Sequence, residues 1–511
     1  KEHLLTHARN RASQQVLDYY QRLISSSSIK PDEYVLVAAI KACACKGNLI
    51  LGRYIHVDII DAGLESHVFI GSALVSMYVK CGSLDDGEKV FDGLSRYDVV
   101  CWNALLSGYS KHNECEQALK CFRKMQEEAL SPDLITYICV LKACGIVGSL
   151  EIGEDIDAES RRQGLLHKDV VLGTAIVDMY SKCGDLEKAL EVFKLLPIRN
   201  VVSWTALISG YAQVGQANVV KNLYTEMRRE AIVPNSVTFI VLLTACSHAG
   251  EVEAAEKLFD EMCAGYHLTP TLGHYACMID IFGRAGHFDK AKALLEKVPF
   301  SDCLPLFLGI LGACHKWRNV NIGRWAFEQS LELDLQCSVA YICMENIYIA
   351  AGMQQEAGRI EALRLKNGAW KRPGRCWWTD ANTQKVHSFL VADHNHPQSM
   401  HIYKKLEEIH RKLLQAGYSP SLHWVSQPLS ENKGNEDVLC GCSEKLAIAC
   451  ALVNTPKGVP IRITKNIRIC DDCHSSMSLI STIEKRWIQV SDGNRVHIFE
   501  HGRCICDDQY L

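Results

Sequence analysis

A cysteine-rich stretch near the C-terminus carries the residues best suited to metal chemistry. Cys442-Ser443-Glu444 is followed, after about 25 residues, by Cys470-Asp471-Asp472-Cys473-His474, and Cys504-Ile505-Cys506 closes the stretch. Cysteine thiolates are common zinc ligands, and three protein ligands leave the fourth metal position open. Water at such a position ionises near neutral pH. The spacing therefore predicts a zinc site with an open position at Cys442, Cys470 and Cys473.

Glu444 lies two residues after the first of these ligands and has a different predicted role. A first ligand, a glutamate two positions on and a distant Cys-x-x-Cys form the ligand set of zinc nucleoside and nucleobase deaminases. In that set the glutamate moves protons and does not bind the metal. The cysteines also allow a closed structural zinc site made of Cys440, Cys442, Cys470 and Cys473, with Glu444 as an ordinary surface residue.

Two positions differ from the usual deaminase pattern. Ile469 stands where a proline normally precedes Cys-x-x-Cys, and Cys442 stands where the first ligand is normally histidine. Thiolate can replace imidazole on zinc, but a third thiolate adds negative charge and makes bound water less acidic. Cys442 therefore keeps the number of zinc ligands, and its replacement of histidine is expected to affect the rate of deamination.

Length and composition indicate a multidomain globular protein. The 511 residues are too many for one core, so several domains or a repeat array are expected. Hydrophobic residues make up 48% and charged residues 22%, with a formal net charge of −4. This balance excludes a highly basic nucleic-acid coat protein but allows a local basic groove. No apolar run approaches the roughly 18 residues of a membrane span, so no membrane partner is predicted.

The cysteines and the first residue bear on compartment and completeness. The 24 cysteines are scattered, many within apolar helical patterns such as Ala42-Cys43-Ala44-Cys45, which favours a reducing compartment and buried thiols. No signal or transit peptide is recognisable, and residue 1 is Lys, so we expect the sequence to start inside a longer chain.

Internal repeats dominate residues 33–303. Related turns recur as Tyr78-Val79-Lys80-Cys81-Gly82, Tyr180-Ser181-Lys182-Cys183-Gly184 and Tyr211-Ala212-Gln213-Val214-Gly215. Each turn lies between two segments whose apolar residues recur at helical spacing, which predicts helix hairpins that stack into an α-solenoid with a concave face. The predicted units are 33–67, 68–98, 99–133, 134–169, 170–200, 201–235, 236–271 and 272–303.

The unit lengths cycle near 35, 31 and 35 residues, whereas a tetratricopeptide array keeps about 34. With openings Trp102-Asn103-Ala104-Leu105 and Trp204-Thr205-Ala206-Leu207 and the closing Ser131-Pro132-Asp133, the chain resembles pentatricopeptide repeat (PPR) proteins of the plant organellar P-L-S class. Further resemblances are Leu311-Gly312-Ala313-Cys314 to the E1 motif, Pro373-Gly374 with Val386-His387 to the PG box, and Ser443–Ala449 to the DYW deaminase domain.

The resemblance covers essentially the whole chain and implies its organisation. Residues 1–303 form a PLS-type repeat array with a partial first repeat, 304–337 an E1 motif, 338–371 an E2 motif, and 372–511 a PG box and DYW-type domain. The implied fold is an all-α superhelical solenoid of helix-hairpin repeats, followed by a C-terminal α/β zinc-dependent cytidine-deaminase-like domain.

The family reads single-stranded RNA one base per repeat, using the fifth residue of a repeat together with its last. The polar pairs that match are Ser72 with Asp98, Asn103 with Asp133, Thr174 with Asn200, and Thr205 with Asn235. By the family's code they imply G, then U or C, then A, then A, from 5′ to 3′. The L repeats carry Val37, Ile138 and Ile240 at the fifth position, and the last S repeat carries Ala276 with Cys303, so these repeats should read little. For any single pair, a solvated turn residue is the competing interpretation.

The resemblance implies two zinc ions per chain. Cys442, Cys470 and Cys473 would hold the catalytic ion, with Glu444 as the proton shuttle. The second, structural ion would be held by a closed set that ties the C-terminal tail to the domain. Its residues are His474, His497, Cys504 and Cys506.

Three positions depart from the family pattern: Cys442 replaces histidine, the terminal Asp-Tyr-Trp appears as Asp508-Gln509-Tyr510-Leu511, and Ile498 replaces a common second histidine. A diverged branch of these domains is associated with U-to-C conversion, although Lys445-Leu446 resembles the ordinary branch.

The implied function is site-specific editing of organellar RNA, with C-to-U deamination in a mitochondrion or chloroplast. Single-stranded RNA is the expected partner, helper editing factors are candidate partners, and no small-molecule cofactor is expected. Two alternatives stay open. One is a U-to-C editor, and the other is an RNA-binding scaffold with a degenerate deaminase that recruits another enzyme or protects the transcript.

Overall fold

The computed structural model describes residues 13–25, 31–64, 67–298, 303–370, 374–380, 383, 385–419, 442–492 and 495–504. The chain divides into two compact units, Lys1–Met179 and Tyr180–Leu511. Within the described residues, no helix combines the length and the apolar character that crossing a bilayer requires.

The first unit is built from paired helices. They are α1 Ser13–Ser25, α2 Glu33–Lys46, α3 Leu49–Asp61, α4 Val68–Lys80, α5 Leu84–Asp92, α6 Val99–Lys111, α7 Cys115–Glu127, α8 Leu134–Val147, α9 Leu150–Arg162 and the beginning of α10 Val170–Cys183.

The second unit continues the helix pairs after α10. They are α11 Leu186–Leu195, α12 Val201–Gln213, α13 Ala217–Arg229, α14 Ser236–Ala249, α15 Val252–Asp260 with a π-helical turn over Glu261–Gly265, α16 Leu272–Arg284, α17 Phe288–Leu295, α18 Leu304–Trp317, α19 Val320–Leu333, α20 Ser338–Ala350 and α21 Gln354–Lys366.

An α/β domain completes the second unit. Its elements are β1 Cys376–Thr379, β2 Val386–Phe389, α22 Ser399–Gln415, α23 Ser443–Asn454, β3 Ile461–Lys465, α24 Asp471–Ile483, β4 Ile488–Ser491, β5 Val496–Glu500 and β6 Arg503–Cys504. Repeated helix hairpins followed by an α/β domain are the predicted fold class.

Local sequence chemistry explains where the hairpins start and turn. A first helix begins at residues 33, 68, 99, 134, 170, 201, 236 and 272. Asp98, Asp133, Asn200 and Asn235 cap four of these helices, because each side chain accepts a hydrogen bond from a backbone N–H in the first turn. Between the two helices of a hairpin, Gly184 takes a left-handed φ of +80°, a conformation that favours glycine.

The α/β domain contains one six-stranded mixed sheet in the order β2-β1-β3-β4-β5-β6. Only β3 and β4 pair in parallel, and α24 connects them. Because parallel strands need a crossover, this β3-α24-β4 unit places the start of α24 at the carboxyl end of β3. Helix α23 packs against β1, β2 and β3, and the domain's buried core includes Ile448, Ile463 and Val490.

Candidate metal centres and RNA-facing residues

Two helix N-termini bring together the three cysteines of the predicted catalytic site. Cys442 precedes α23, Cys470 caps α24, and Cys473 lies in the first turn of α24. The Cys470 sulfur accepts a hydrogen bond from the Cys473 backbone N–H at 3.4 Å. Because a helix N-terminus carries positive partial charge, it stabilises a thiolate, the form of cysteine that binds metal.

The three sulfurs also interact with one another. Hydrogen bonds to Cys442 and Cys470, together with complete burial, raise the pKa of Cys473 well above its ordinary value. The same contact with Cys473 lowers the pKa of Cys470. Cys473 thus lies in contact with both other thiols. Three converging thiols suit zinc, which cysteine binds as the thiolate.

Glu444 is buried beside this cluster, with 2% of its surface exposed. One of its carboxylate oxygens lies within 4.8 Å of the Cys470 and Cys473 sulfurs. Oε2 accepts a hydrogen bond from Ser443 Oγ at 2.9 Å, and Oε1 pairs with Lys465 Nζ. Burial by itself would raise the pKa of Glu444, but Lys465 outweighs it and lowers the pKa. The carboxylate is therefore held as an anion close to the predicted metal.

Two buried lysines flank the cluster, and sequence reasoning did not identify them as part of the site. Lys465 ends β3 and pairs with Glu444. Lys445 binds Asp472 Oδ2 at 3.1 Å and Tyr418 Oη at 3.0 Å. Lys465 alternates in phase with the buried Ile461 and Ile463 of β3. A lysine on the buried face of a strand is rare without a partner, so this phase is the signal that could have revealed it.

A fourth thiol lies near the cluster. Cys376 on β1 is fully buried, and its sulfur donates to Ser443 Oγ at 3.3 Å. Burial, followed by nearby Glu444, raises its pKa well above the ordinary value, so it stays a neutral thiol. Cys440, the fourth ligand of the closed alternative site, lies outside the described residues.

Three of the four ligands predicted for the second zinc site lie close together in the described part of the chain. Ligand atoms of His474, His497 and Cys504 lie within 4.8 Å of one another. The Cys504 sulfur is 3.9 Å from Nδ1 of His497. Two imidazoles and a thiol at these separations suit zinc. Cys506 lies outside the described residues.

Asp492 connects the second site to the first. Its side chain is 1% exposed, and Oδ2 lies 3.5 Å from Nε2 of His497, which leaves Nδ1 facing Cys504. The same oxygen accepts the backbone N–H of Ile469, the residue before Cys470, at 3.0 Å. A carboxylate that orients a ligating histidine is a common second layer around zinc. Sequence reasoning missed Asp492 because its partners are distant in the chain.

A third group of ligand-type side chains is explained without a metal. His387 Nδ1 and His396 Nε2 are 2.7 Å apart, near Cys450. Nδ1 of His396 accepts the backbone N–H of Gln398, so the neutral ring carries its proton on Nε2 and donates it to His387. Burial lowers the pKa of His387 to about 4 and thereby keeps this pair uncharged. The only nitrogen of His396 that faces the cluster is the protonated one, so the group is a hydrogen-bonded pair.

Among the predicted RNA-reading pairs, Asn103 and Asp133 form the most complete arrangement. Asn103 Nδ2 donates to both carboxylate oxygens of Asp133, at 2.9 Å each. Asn103 Oδ1 accepts from Thr136 Oγ1 at 2.6 Å. These bonds fix the amide plane and leave a second Nδ2 hydrogen for another acceptor. Burial would raise the pKa of Asp133, but hydrogen bonds from Thr136 and Asn103 lower it.

The other pairs are joined differently. Ser72 Oγ lies 3.3 Å from Asp98 Oδ1. Thr205 reaches Asn235 through Thr238, whose hydroxyl is 2.8 Å from Thr205 Oγ1 and 3.1 Å from Asn235 Oδ1. The remaining pair, Thr174 and Asn200, divides between the two compact units, so each residue is described by itself.

Thr174 is buried, and its hydroxyl has no hydrogen-bond partner within the described part of the chain. Asn200 caps α12 and accepts the backbone N–H of Ser203 at 2.9 Å. The last residue of each of the four pairs thus has a structural role as a helix cap, and an RNA-reading role must be tested with the cap preserved.

A periodic set of exposed apolar residues was not anticipated. Each is the second residue of a first helix, and each is between 51% and 63% exposed. The residues are Tyr34, Phe69, Val100, Ile135, Val171, Val202 and Val237. The second and fifth residues of a helix share a face, so each apolar side chain neighbours a fifth-position residue. Their regular recurrence three positions before the fifth residue was the available signal.

Comparison with protein families divides the chain in the same order. PPR repeat families match residues 72–99, 97–145, 174–201, 199–248, 237–264 and 274–303. The E motif matches residues 317–379, the E+ motif 386–413, and the "DYW family of nucleic acid deaminases" 417–510.

Similar proteins occur in Arabidopsis thaliana. "Pentatricopeptide repeat-containing protein At1g08070, chloroplastic" is 36% identical over 95% of this chain, which spans 65% of that protein's length. "Putative pentatricopeptide repeat-containing protein At3g13770, mitochondrial" is 33% identical over 98% of this chain and 79% of its own length. This chain therefore spans just under two thirds of the first relative and more of the second.

The helical fold is also that of a solved structure. The crystal structure of PPR10 in complex with an 18-nt psaJ RNA element aligns with a TM-score of 0.52 and 15% identity, covering 71% of this chain and 60% of PPR10. With the family matches and the extent of the Arabidopsis alignments, the chain belongs to the plant pentatricopeptide repeat proteins that carry E and E+ motifs and a DYW deaminase domain.

Proposed function

We propose that this chain edits organellar RNA, selecting a cytidine through its repeats and deaminating it to uridine in its α/β domain. The observation that carries the proposal is the buried Glu444 carboxylate, held as an anion beside three converging thiols. A purely structural zinc site does not require a buried carboxylate that is paired with a lysine and does not bind the metal. A proton shuttle for hydrolytic deamination needs such a group.

The two cysteine and histidine clusters would each hold a zinc ion. Zinc at Cys442, Cys470 and Cys473 would supply a water molecule that is acidic enough to attack C4 of cytidine. Glu444 would carry one proton of that water to N3 of the ring and the second, from the hydroxyl then bonded to C4, to the departing amine. The C4–N bond breaks, a C4–O bond forms, and ammonia leaves, so the reaction consumes one water.

Lys465 and Ser443 position the shuttle. Ser443 Oγ holds Oε2 of Glu444, and Lys465 holds Oε1, so neither oxygen rotates freely. Because the pair is buried, its electrostatic attraction is strong and the carboxylate keeps one orientation. The lysine also favours the ionised carboxylate, the form that accepts the first proton.

The repeats supply a surface for single-stranded RNA. The exposed apolar second residues offer contacts for base faces, and the neighbouring fifth residues offer hydrogen bonds to base edges. Asn103, held by Asp133 and Thr136, presents one donor in a fixed direction. The four pairs would read G, U or C, A and A, and the names of the relatives support a plastid or mitochondrial site of action.

The scaffold alternative is favoured by the thiol of Cys442, at a position where zinc deaminases usually have imidazole. A purified-protein assay tests the proposal directly. The full chain, loaded with zinc, is incubated with an RNA pool that has G, U, A and A at the four positions and cytidines along the 3′ flank. Sequencing should show uridine at a cytidine, and unchanged sequence at every cytidine would reject the enzymatic proposal. Uridines placed in the flank of a second pool test U-to-C conversion.

Base recognition gives a narrower prediction. Asn103→Thr, with Asp133 kept, is expected to move preference at one RNA position from pyrimidine toward G, because threonine lacks the amide donor held by Asp133. A wrong edge contact costs on the order of 1–3 kcal/mol, by analogy with DNA readout. Binding to four RNAs that differ at this position measures the change.

A second variant tests the other residue of the pair and must preserve the helix cap at residue 133. Asp133→Asn does so, because asparagine and aspartate cap helices about equally well. It should alter the preference at the same RNA position without lowering thermal stability. An affinity loss equal for all four bases in both variants would show that the pair only supports the fold.

Metal content gives a second prediction. The full chain is expected to hold about two zinc ions, and His497→Ala about one, because the variant removes the ligand that faces Cys504. Thermal stability should also fall, since closed metal sites contribute folding free energy. His401→Ala, at an exposed histidine, is the control and should keep two ions. One ion in both the unmodified chain and His497→Ala would remove the second site.

A further inference from the structure

The hairpin formed by β4 and β5 contacts the repeats that precede the α/β domain. Ile488 and Val490 face the domain core, so Gln489 lies on the opposite face of the sheet. A glutamine on that face would normally be solvated, yet Gln489 is only 2% exposed. Its Nε2 donates to the backbone carbonyl of Cys183 at 2.8 Å, so a repeat turn is among the groups that cover it.

The receiving surface is the turn after α10. The last carbonyls of a helix lack intrahelical partners and carry negative partial charge, so the Cys183 carbonyl is a suitable acceptor for an amide. The absence of a side chain at Gly184 allows Gln489 to approach this turn closely. A Cβ at this position would lie 2.6 Å from Nε2 and 2.7 Å from Oε1 of Gln489.

A similar contact occurs at the corresponding turn of the next repeat, where the side chain from the α/β domain is an arginine. Arg495, the residue before β5, lies against Gly215, where a Cβ would come within 2.8 Å of Nη2. Gly215 follows α12, and His248 Nδ1 lies 2.9 Å from the Ala212 carbonyl at the same helix end. A guanidinium near the C-terminus of a helix is electrostatically favourable. Two side chains of one hairpin thus meet two successive inter-helix turns.

We propose that the β4–β5 hairpin is a docking surface that fixes the deaminase domain against the turns at Gly184 and Gly215, and that this docking restricts which cytidine reaches Glu444. The docking concerns the fold alone, whereas the restriction on cytidine choice rests on the proposed function. Gln489 lies on the strand that leads to Asp492, which contacts the residue before Cys470, so the docked strand is joined directly to the predicted metal site.

The chain contains a matched control for the docking contact. Gly82 ends the turn Lys80-Cys81-Gly82 with a φ of +84°, and Gly184 ends Lys182-Cys183-Gly184 with a φ of +80°. Alanine would therefore meet the same backbone strain at both glycines. A Cβ at Gly82 meets no atom closer than 3.9 Å, so only Gly184→Ala adds a clash with the α/β domain.

Hydrogen exchange in the zinc-loaded full chain tests the docking. Gly184→Ala should raise amide exchange of residues 488–500 by about fivefold or more, the factor expected from losing one net hydrogen bond. Gly82→Ala should leave that segment unchanged. In a Gln489→Ala background, where the clashing atoms are gone, Gly184→Ala should add nothing. Equal exchange in the two glycine variants, or an undiminished Gly184→Ala effect in that background, would overturn the docking.

The RNA pool with cytidines along its 3′ flank tests the restriction on cytidine choice. Gly184→Ala should convert cytidines at more positions than the unmodified chain, and Gly82→Ala should not. An unchanged pattern in Gly184→Ala, despite raised exchange, would overturn the restriction while leaving the docking intact. If the unmodified chain converts no cytidine, the proposed function fails, and the exchange result still decides the docking.

Discussion

Glu444→Gln is expected to abolish cytidine conversion while zinc content, fold and RNA affinity stay unchanged. A positioned acid–base group typically contributes roughly 10²–10⁴-fold, and here the same carboxylate acts on both the incoming water and the departing amine. Glutamine keeps the shape of the side chain and can still bond Ser443, but it cannot accept a proton. Sequencing of the product RNA, zinc analysis and a binding assay together measure the result.

The choice of glutamine over alanine follows from Lys465. The lysine is 6% exposed and pairs with Glu444, so Glu444→Ala would leave a buried ammonium with neither a counter-ion nor a hydrogen-bond acceptor, whereas the amide oxygen of glutamine can still accept from Nζ. Breaking a buried ion pair by removing one partner costs about 3–5 kcal/mol. Loss of activity in the alanine variant would then mix chemistry with stability. Glu444→Gln combined with Lys465→Met removes the charge of both partners and tests whether any stability loss comes from the unpaired lysine.

Full conversion by Glu444→Gln would remove Glu444 from the mechanism. Asp472 is another buried carboxylate near the cysteines, and it is paired with Lys445 and Tyr418. Asp472→Asn would then be the next variant to test, with Lys457→Met as an exposed charge control. Activity that fails only in Asp472→Asn would assign the shuttle to that residue.

The repeats were predictable because local chemistry determines where they begin. Asp98, Asp133, Asn200 and Asn235 each act within three residues, as caps, and the alternation of helix and turn follows from short-range apolar spacing. Gly184 was also visible in the sequence, as part of a recurring turn. Its contact with Gln489 was not, because that pair is about 300 residues apart and only the folded chain brings it together.

The candidate metal site was likewise predictable only where its residues are close together in the sequence. The ligands could be read from the sequence because cysteines at Cys-x-x-Cys spacing meet at one helix N-terminus. The sequence does not reveal Lys445, Asp492 and Cys376, since each joins the site through a long-range contact. Sequence patterns thus indicate the candidate ligand atoms, whereas tertiary structure supplies the charges and hydrogen bonds that orient them.

The variants of Cys442 decide between an enzyme and a scaffold. Cys442→Ala is expected to lose the catalytic zinc and all conversion, because it removes one of three thiols and leaves Cys470 and Cys473 alone on one helix. Zinc content should fall from about two ions to about one, measured on the purified chain. RNA binding should remain, since the proposed RNA-reading residues lie in the repeats and not in the α/β domain.

Cys442→His introduces the imidazole that is usual at the first ligand position of zinc nucleobase deaminases. Imidazole is neutral, so the ligand set loses one negative charge and water at the open position becomes more acidic. C-to-U conversion should therefore stay equal or rise, with zinc content unchanged. If the unmodified chain converts neither cytidine nor uridine and Cys442→His restores conversion, the natural protein is an RNA-binding scaffold whose active site the cysteine has disabled.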